Sequence, residues 1–244
     1  MRGLVTRACT ALYRRAVPSG CQKRIWAVRE VYRILAREYG YFRSVVTETC
    51  ADAHGRPIPW YTYPAIEYLS QLDFRDKRVF EYGSGQSTSF WASESGTVCS
   101  VEHNEEWYEK VRATVPLGCT VLLRANPDEY CRAIDEFPQP FDVIVVDGPL
   151  RGRLECAARA IERLAPGGII ILDNSNWLPR TASLLRKEEY LQVDFSGFGP
   201  AGVWTWTTSV YFDRNCRLAP KRGLQPLPGL GSIRLEPEES ALAA

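Results

Sequence analysis

The stretch Val79-Phe80-Glu81-Tyr82-Gly83-Ser84-Gly85-Gln86-Ser87-Thr88 holds the residues best suited to gripping a small ligand. An apolar run ends in a carboxylate, two glycines follow at alternate positions, and hydroxyl residues open what comes next. This is how a strand, a tight turn and a helix start are written around a nucleotide-like ligand. Gly83 and Gly85 let the backbone turn sharply and let a ligand approach without meeting a Cβ. Further along, Glu102 stands 21 positions after Glu81, at the end of a second apolar run. A carboxylate there accepts two hydrogen bonds from the vicinal diol of a ribose. Asp147 and the pair Asp173-Asn174 end two more apolar runs. Two carboxylates and an amide oxygen form a hard oxygen set suited to Mg²⁺. Without a metal, Asp147 would contact ligand directly and Asp173-Asn174 would cap the following helix.

The elements that must position these residues read as a regular alternation. Strands are expected at 78–82, 97–102, 119–123, 142–147 and 168–173, with helices at 87–95, 105–114, 128–136 and 151–164 between them. Val143–Val146 and Ile169–Leu172 are continuous apolar runs, which suit central strands of a parallel sheet covered on both faces. The alternation predicts a doubly wound α/β domain, in which the carboxyl ends of the strands face the ligand crevice. A further helix near 177–189 and strands at 190–195 and 205–213 follow. Before the sheet, Ile25, Val28, Tyr32 and Leu35 recur at helical spacing within 22–39 among arginines, an amphipathic helix. Residues 50–60 read as a loop, and Pro64 as the first turn of a short helix.

The loop discriminates between ligands. A dinucleotide fingerprint asks for a third glycine three positions after the second, and position 88 is Thr. Glu81 facing a pyrophosphate would repel it. S-adenosylmethionine (SAM) carries a ribose, a sulfonium, an α-amino group and no phosphate, so Glu81 and Glu102 suit it better than NAD. An NAD-dependent oxidoreductase and a non-catalytic binding module of the same fold remain the alternatives.

Four segments in order carry a resemblance: Glu81-Tyr82-Gly83-Ser84-Gly85, Val101-Glu102-His103-Asn104, Phe141–Gly148, and Leu164–Gly168 with Leu172-Asp173-Asn174. Over about 56–213 the chain resembles class I SAM-dependent methyltransferases. More narrowly, it is similar to bacterial methyltransferase-like proteins with a Gly-Ser-Gly-x-Ser-Thr loop and a Thr-Ser-aromatic strand near the C-terminus, here Thr208–Phe212. The resemblance implies a Rossmann-like seven-stranded sheet of order 3-2-1-4-5-7-6, its last strand, 205–213, antiparallel. It implies cofactor contacts from Glu81, Gly83, Gly85, Glu102 and His103, with His103 at the adenine edge. It implies methyl transfer, with Asp147 as the catalytic group favouring a deprotonated acceptor. In related O-methyltransferases the positions of Asp147, Asp173 and Asn174 hold a metal. The acceptor expected is a small molecule or a glycan, methylated on oxygen. Arg151 and Arg153 read as surface arginines or as an anion contact. Trp60, Tyr61 and Tyr63 read as core or as a cover for the sulfonium, and Trp177, Trp204 and Trp206 as acceptor-pocket walls or core.

Bulk properties bound the rest. Net charge is +1 over 244 residues, so no overall electrostatic case exists for nucleic acid or membrane binding. No apolar run is long enough for a transmembrane helix. Eight cysteines without CxxC spacing read as free thiols in a reducing compartment, cytoplasmic, with mitochondrial as the alternative because the N-terminus is rich in arginine. The expected organisation is a basic helical arm and linker at 1–55, the methyltransferase domain at 56–217 and a Pro-rich, poorly ordered tail at 218–244. For the arm, a lid, a contact within a homodimer, a membrane-surface helix and a targeting segment all stay open.

Overall fold

The apolar runs take the middle of the sheet. In the computed structural model, which describes residues 18–233, the strands are β1 (Phe74–Tyr82), β2 (Ser95–Glu102), β3 (Thr120–Leu123), β4 (Phe141–Val146), β5 (Leu164–Leu172), β6 (Leu191–Gly197) and β7 (Trp206–Phe212). They form one seven-stranded sheet of order β3-β2-β1-β4-β5-β7-β6. Neighbours from β3 to β5 pair parallel. β7 runs antiparallel to both β5 and β6, so the expected order and the reversed final strand are both present.

Strand alternation sorts the side chains onto two faces. Val79, Val98, Val143, Val145, Ile169 and Ile171 join one buried cluster. Phe80, Tyr82, Val101, Ile144, Val146, Ile170 and Leu172 join the other. Helices α4 (Gln86–Glu94), α5 (Glu105–Arg112), α6 (Pro127–Arg132), α7 (Arg153–Arg163) and α8 (Pro179–Lys187) connect the strands. Three more precede the sheet: α1 (Ser19–Arg33), α2 (Tyr41–Thr47) and α3 (Tyr63–Leu69).

Several boundaries move from those expected. The helix read at 22–39 is α1 followed by a wider turn at Ile34–Glu38. The helix read at 128–136 is α6 continued by a 3-10 turn at Ala133–Glu136. β1 begins four residues early and pairs irregularly with β2 between Phe74 and Arg78. Residues 218–233, read as poorly ordered, return to the body instead. Ala219 O accepts from Asp73 N, Lys221 N donates to Gln71 O, and Lys221 Nζ pairs with Glu94. Backbone pairing there supplies the order that proline-rich composition alone does not indicate. Residues 234–244 and 1–17, including the start of the arm, lie outside the described residues.

Ile171 is fully buried between β4 and β7. Ile171→Ala is expected to lower unfolding free energy by about 2–5 kcal/mol, read as a reduced midpoint at unchanged slope in urea titration.

Candidate active site at the carboxyl ends of the strands

The same alternation carries the acids to one face. Glu81 follows Val79 by two, Glu102 follows Val98 by four, Asp147 follows Val145 by two and Asp173 follows Ile171 by two. All four therefore share the side of the sheet that holds those valines and isoleucine. Strand register brings Glu81 beside Ser100 and Val145, so the four ends converge on one crevice.

The glycine loop joins β1 to α4. Gly83 adopts φ 103°, and a Cβ there would lie 3.0 Å from Asp147 O, so the tight turn needs glycine. Gly83 N donates to Val101 O at 2.9 Å. Thr88 accepts from Gly85 N at 3.0 Å and donates its hydroxyl to Glu81 Oε2 at 2.6 Å. This one side chain both caps α4 and holds the buried carboxylate. Gly85 leaves open space where a Cβ would go, with only Trp107 nearby at 3.7 Å.

Glu102 is 4% exposed and already oriented. Its Oε1 accepts from the backbone N–H groups of His103 and Asn104, each at 2.9 Å, and its Oε2 accepts from Ser84 Oγ at 2.9 Å. His103 Nδ1 lies 2.9 Å from Glu102 Oε1, with half of its side chain exposed. Asn104 accepts at its Oδ1 from Trp107 N at 2.8 Å as the cap of α5. Trp107 donates its indole N–H to Ser84 O at 2.8 Å and so closes the outer side of the loop.

Asp147 and Asp173 meet around an arginine that the sequence left as a surface residue or an anion contact. Arg153, on the first turn of α7, is 5% exposed. It donates to Gly148 O at 2.7 Å, Asp173 O at 2.6 Å, Asn174 Oδ1 at 3.3 Å and Asp147 Oδ1 at 2.9 Å. Asp173 Oδ1 accepts in addition from Trp206 Nε1 at 3.0 Å and Thr208 Oγ1 at 2.6 Å. The expected metal set is thus brought together but does not fit Mg²⁺. The Arg153 guanidinium stands against Asp147 Oδ1 and Asn174 Oδ1, and Asp173 Oδ1 turns to β7. Among the described residues no group of three or more His, Cys, Asp or Glu is arranged to hold a metal. The helix-capping role considered for Asn174 is also absent: it makes no side-chain cap to the turn after it.

Two adjoining clefts result. One, of 420 Å³, lies between the glycine loop, Glu81, Glu102, His103 and the Gly148-Pro149 turn. The other, of 480 Å³, is walled by Trp60, Trp177, Trp204 and Trp206, with Glu48 to Cys50 along one edge. Ser84, Ser87, Trp107 and Asp147 line both. Trp60, Trp177 and Trp204 are each about half exposed, whereas Tyr61 and Tyr63 are core residues. Trp107 was missed as a site residue, and Arg153 was read as a surface arginine or a contact for an anion, not as the partner of Asp147. The available signal for Arg153 was a cation six positions after a strand-end acid.

Burial acts on the acids. Desolvation pushes the Glu81 carboxyl up to about 8 against the opposing pull of the Ser87 and Thr88 hydroxyls. Desolvation also raises Asp147, which Arg153 pulls back, and raises Asp173, with the Asp147 charge adding to it. A carboxyl that sits at 4.5 unperturbed and near 8 in the native protein holds an extra native proton between those values. Stability on its account is present at low pH and lost as pH rises through that window. Glu81→Gln removes the titration, so the variant is expected to gain thermal stability over the parent at about pH 9 and to lose that advantage near pH 5. Melting curves across pH check this.

The model of a methyltransferase domain family matches residues 80–175, the span from β1 to the turn after β5. No curated protein matches the chain. Similar solved structures include the O-methyltransferase TomG from Streptomyces achromogenes in complex with SAM, at 18% identity over 62% of this chain and 77% of that one, TM-score 0.49. A precorrin-6y C5,15-methyltransferase from Geobacter metallireducens matches at 16% over 61% and 86%, TM-score 0.49. An rRNA methylase from Streptococcus thermophilus matches at 15% over 62% and 95%, TM-score 0.44. Their acceptors differ, and their likeness to this chain does not choose among them. The matched span covers the glycine loop, Glu102, Asp147 and Asp173 on this sheet, and over it the chain is similar to a methyltransferase domain.

Proposed function

We propose that this methyltransferase acts on an oxygen of a small-molecule or glycosidic acceptor. The observation that carries the reading is the pair of joined clefts. Asp147 lies on their shared wall, and the indoles beyond it offer flat faces to a sugar ring or a planar ring. The first cleft suits SAM. Glu102 is presented on a strand end as an acceptor for ribose hydroxyls, Glu81 is an acid where a cationic group would lie, and Gly83 and Gly85 leave the loop without a Cβ. His103, at the rim, would meet the adenine edge.

SAM supplies a methyl on a sulfonium, open to in-line displacement. The chain's own part is positioning and proton handling. Indole walls orient the acceptor and exclude water. Asp147, raised in proton affinity by burial, takes the hydroxyl proton as the oxygen–methyl bond forms and the sulfur–methyl bond breaks. Arg153 holds Asp147 in place and balances its charge. Magnesium has no part in this reading, because Arg153 stands among the oxygens that would bind it. The NAD alternative would need a pyrophosphate beside Glu81, and a carboxylate there opposes it.

Calorimetry with SAM, followed by a methyl-transfer screen over hydroxyl acceptors, tests the reading. Glu102→Ala is expected to weaken SAM binding at least roughly tenfold through loss of hydrogen bonds to a charged group. Asp147→Asn is expected to lower kcat by about 10²–10⁴ while leaving SAM affinity nearly unchanged. Turnover is expected to be the same in EDTA as in Mg²⁺. A rate that collapses in EDTA and returns with Mg²⁺ would overturn the arrangement of Arg153 described here.

A further inference from the structure

The N-terminal arm presents a surface that the methyltransferase site does not use. None of the fifteen residues of α1 is buried. Ile25, Val28, Val31 and Tyr32 are each more than half exposed, and at helical spacing Cys21, Ile25, Val28 and Tyr32 run along one side. Tyr32 stacks on Phe42 at 4.8 Å, and the helix continues into Ile34–Glu38, whose Leu35 packs on the core. Among the described residues, the rest of the apolar side stays largely exposed. Arg29 flanks it, and Lys23 and Arg33 lie further round, with Trp26, 66% exposed, between them. Arg24 lies within the apolar side, where a long side chain can lay its stem along the surface and lift its charge out.

Charge separates the possible occupants. Residues 1–33 contain eight Lys and Arg and one acid, Glu30, in a chain whose net charge is +1. The arm is therefore strongly basic and the remainder acidic. A second copy of the arm would bring like charge against like charge. Nucleic acid would satisfy the arginines but leave Ile25, Val28 and Val31 uncovered. An anionic bilayer satisfies both, since its headgroups attract the basic residues and its acyl boundary covers the aliphatic ones. We infer that α1 is an interfacial helix that docks the protein on anionic lipid surfaces.

The arm also leads to the acceptor cleft. α2 follows it, Tyr41 donates its hydroxyl to Gly202 O at 2.9 Å, and Glu48, Thr49 and Cys50 line the cleft. Exposed Phe198, Val203 and Trp204 lie in the loop that Tyr41 contacts. Docking through α1 would thus set the acceptor cleft close to the lipid surface. This inference stands apart from the identity of the acceptor, and its test needs no turnover.

Vesicle flotation of the full chain, with phosphatidylglycerol in phosphatidylcholine and with phosphatidylcholine alone, tests it. The expected result is flotation with the anionic vesicles, weaker by roughly tenfold or more with neutral ones, and reduced by salt. The double variant Ile25→Asp, Val28→Asp is expected to abolish flotation while the melting temperature stays at the parent value, because the helix buries nothing. Failure of the parent to float at low salt would overturn the inference. So would flotation that survives the double variant, which marks a purely electrostatic surface of the kind nucleic acid binds. A concentration-dependent dimer that the double variant dissolves, in place of flotation, would assign the face to a second copy and overturn it as well.

Discussion

Excess negative charge, buried at the carboxyl ends of the strands, is the constraint on which the site depends. Glu81, Glu102 and Asp173 are buried there, Asp147 lies beside them, and Arg153 is the one buried cation among the described residues. Carboxylates in low dielectric without enough partners take up protons or recruit a cation. The upward shift of Glu81, Asp147 and Asp173 expresses the first outcome. The proposed ligand, bearing a sulfonium and an ammonium, would be the second. On that reading the cleft is costly in the free protein and binding of the cofactor would relieve it. Neighbouring features serve that arrangement: Thr88 ties Glu81 to the start of α4, Ser84 ties Glu102 to the loop, and β7 supplies Trp206 and Thr208 to Asp173.

Arg153 changes what chemistry the site can do. A divalent ion would bind an acceptor oxygen directly and lower its proton affinity. A guanidinium already committed to Gly148 O, Asp173 O, Asn174 and Asp147 offers geometry and charge balance instead. It clamps the ends of β4 and β5 together and fixes the rotamer of Asp147 between the two clefts. In the proposed reaction, rate enhancement would rest on positioning and on a single carboxylate, with tryptophans rather than metal coordination orienting the acceptor. The same residue explains the failure of the metal expectation: the donor types and strand-end positions were right for Mg²⁺, and the occupant came from the helix that follows.

Much of the frame was legible because it depends on short periods. Val143–Val146 and Ile169–Leu172 announce central strands by being apolar at every position, and two-residue alternation sends Glu81, Asp147 and Asp173 to one side without any knowledge of neighbours. Glu102 was legible from its distance to the glycine loop, which one strand-helix-strand unit sets. Arg153 was not, because a helix-start arginine reads the same whether it points to water or beneath a loop. The burial of Trp206, in contrast to the half-exposed Trp204 two residues before it, follows from β7 running back beside β5. The return of residues 218–233 to Gln71, Asp73 and Glu94 rests on backbone pairing, to which side-chain composition is nearly blind.

The sequence by itself determined the alternation of strands and helices, the glycine turn that only residues without a Cβ can make, and which strand ends carry acids. These are local properties, set by side-chain period and backbone sterics within a few residues. Only the tertiary structure decided that Arg153 lies among Asp147, Asp173 and Asn174, that two clefts meet at Asp147, and that one side of α1 stays exposed among the described residues. Those depend on where segments far apart in the chain come to rest. Burial and charge compensation act between such segments, and no short window of sequence contains both sides of the contact.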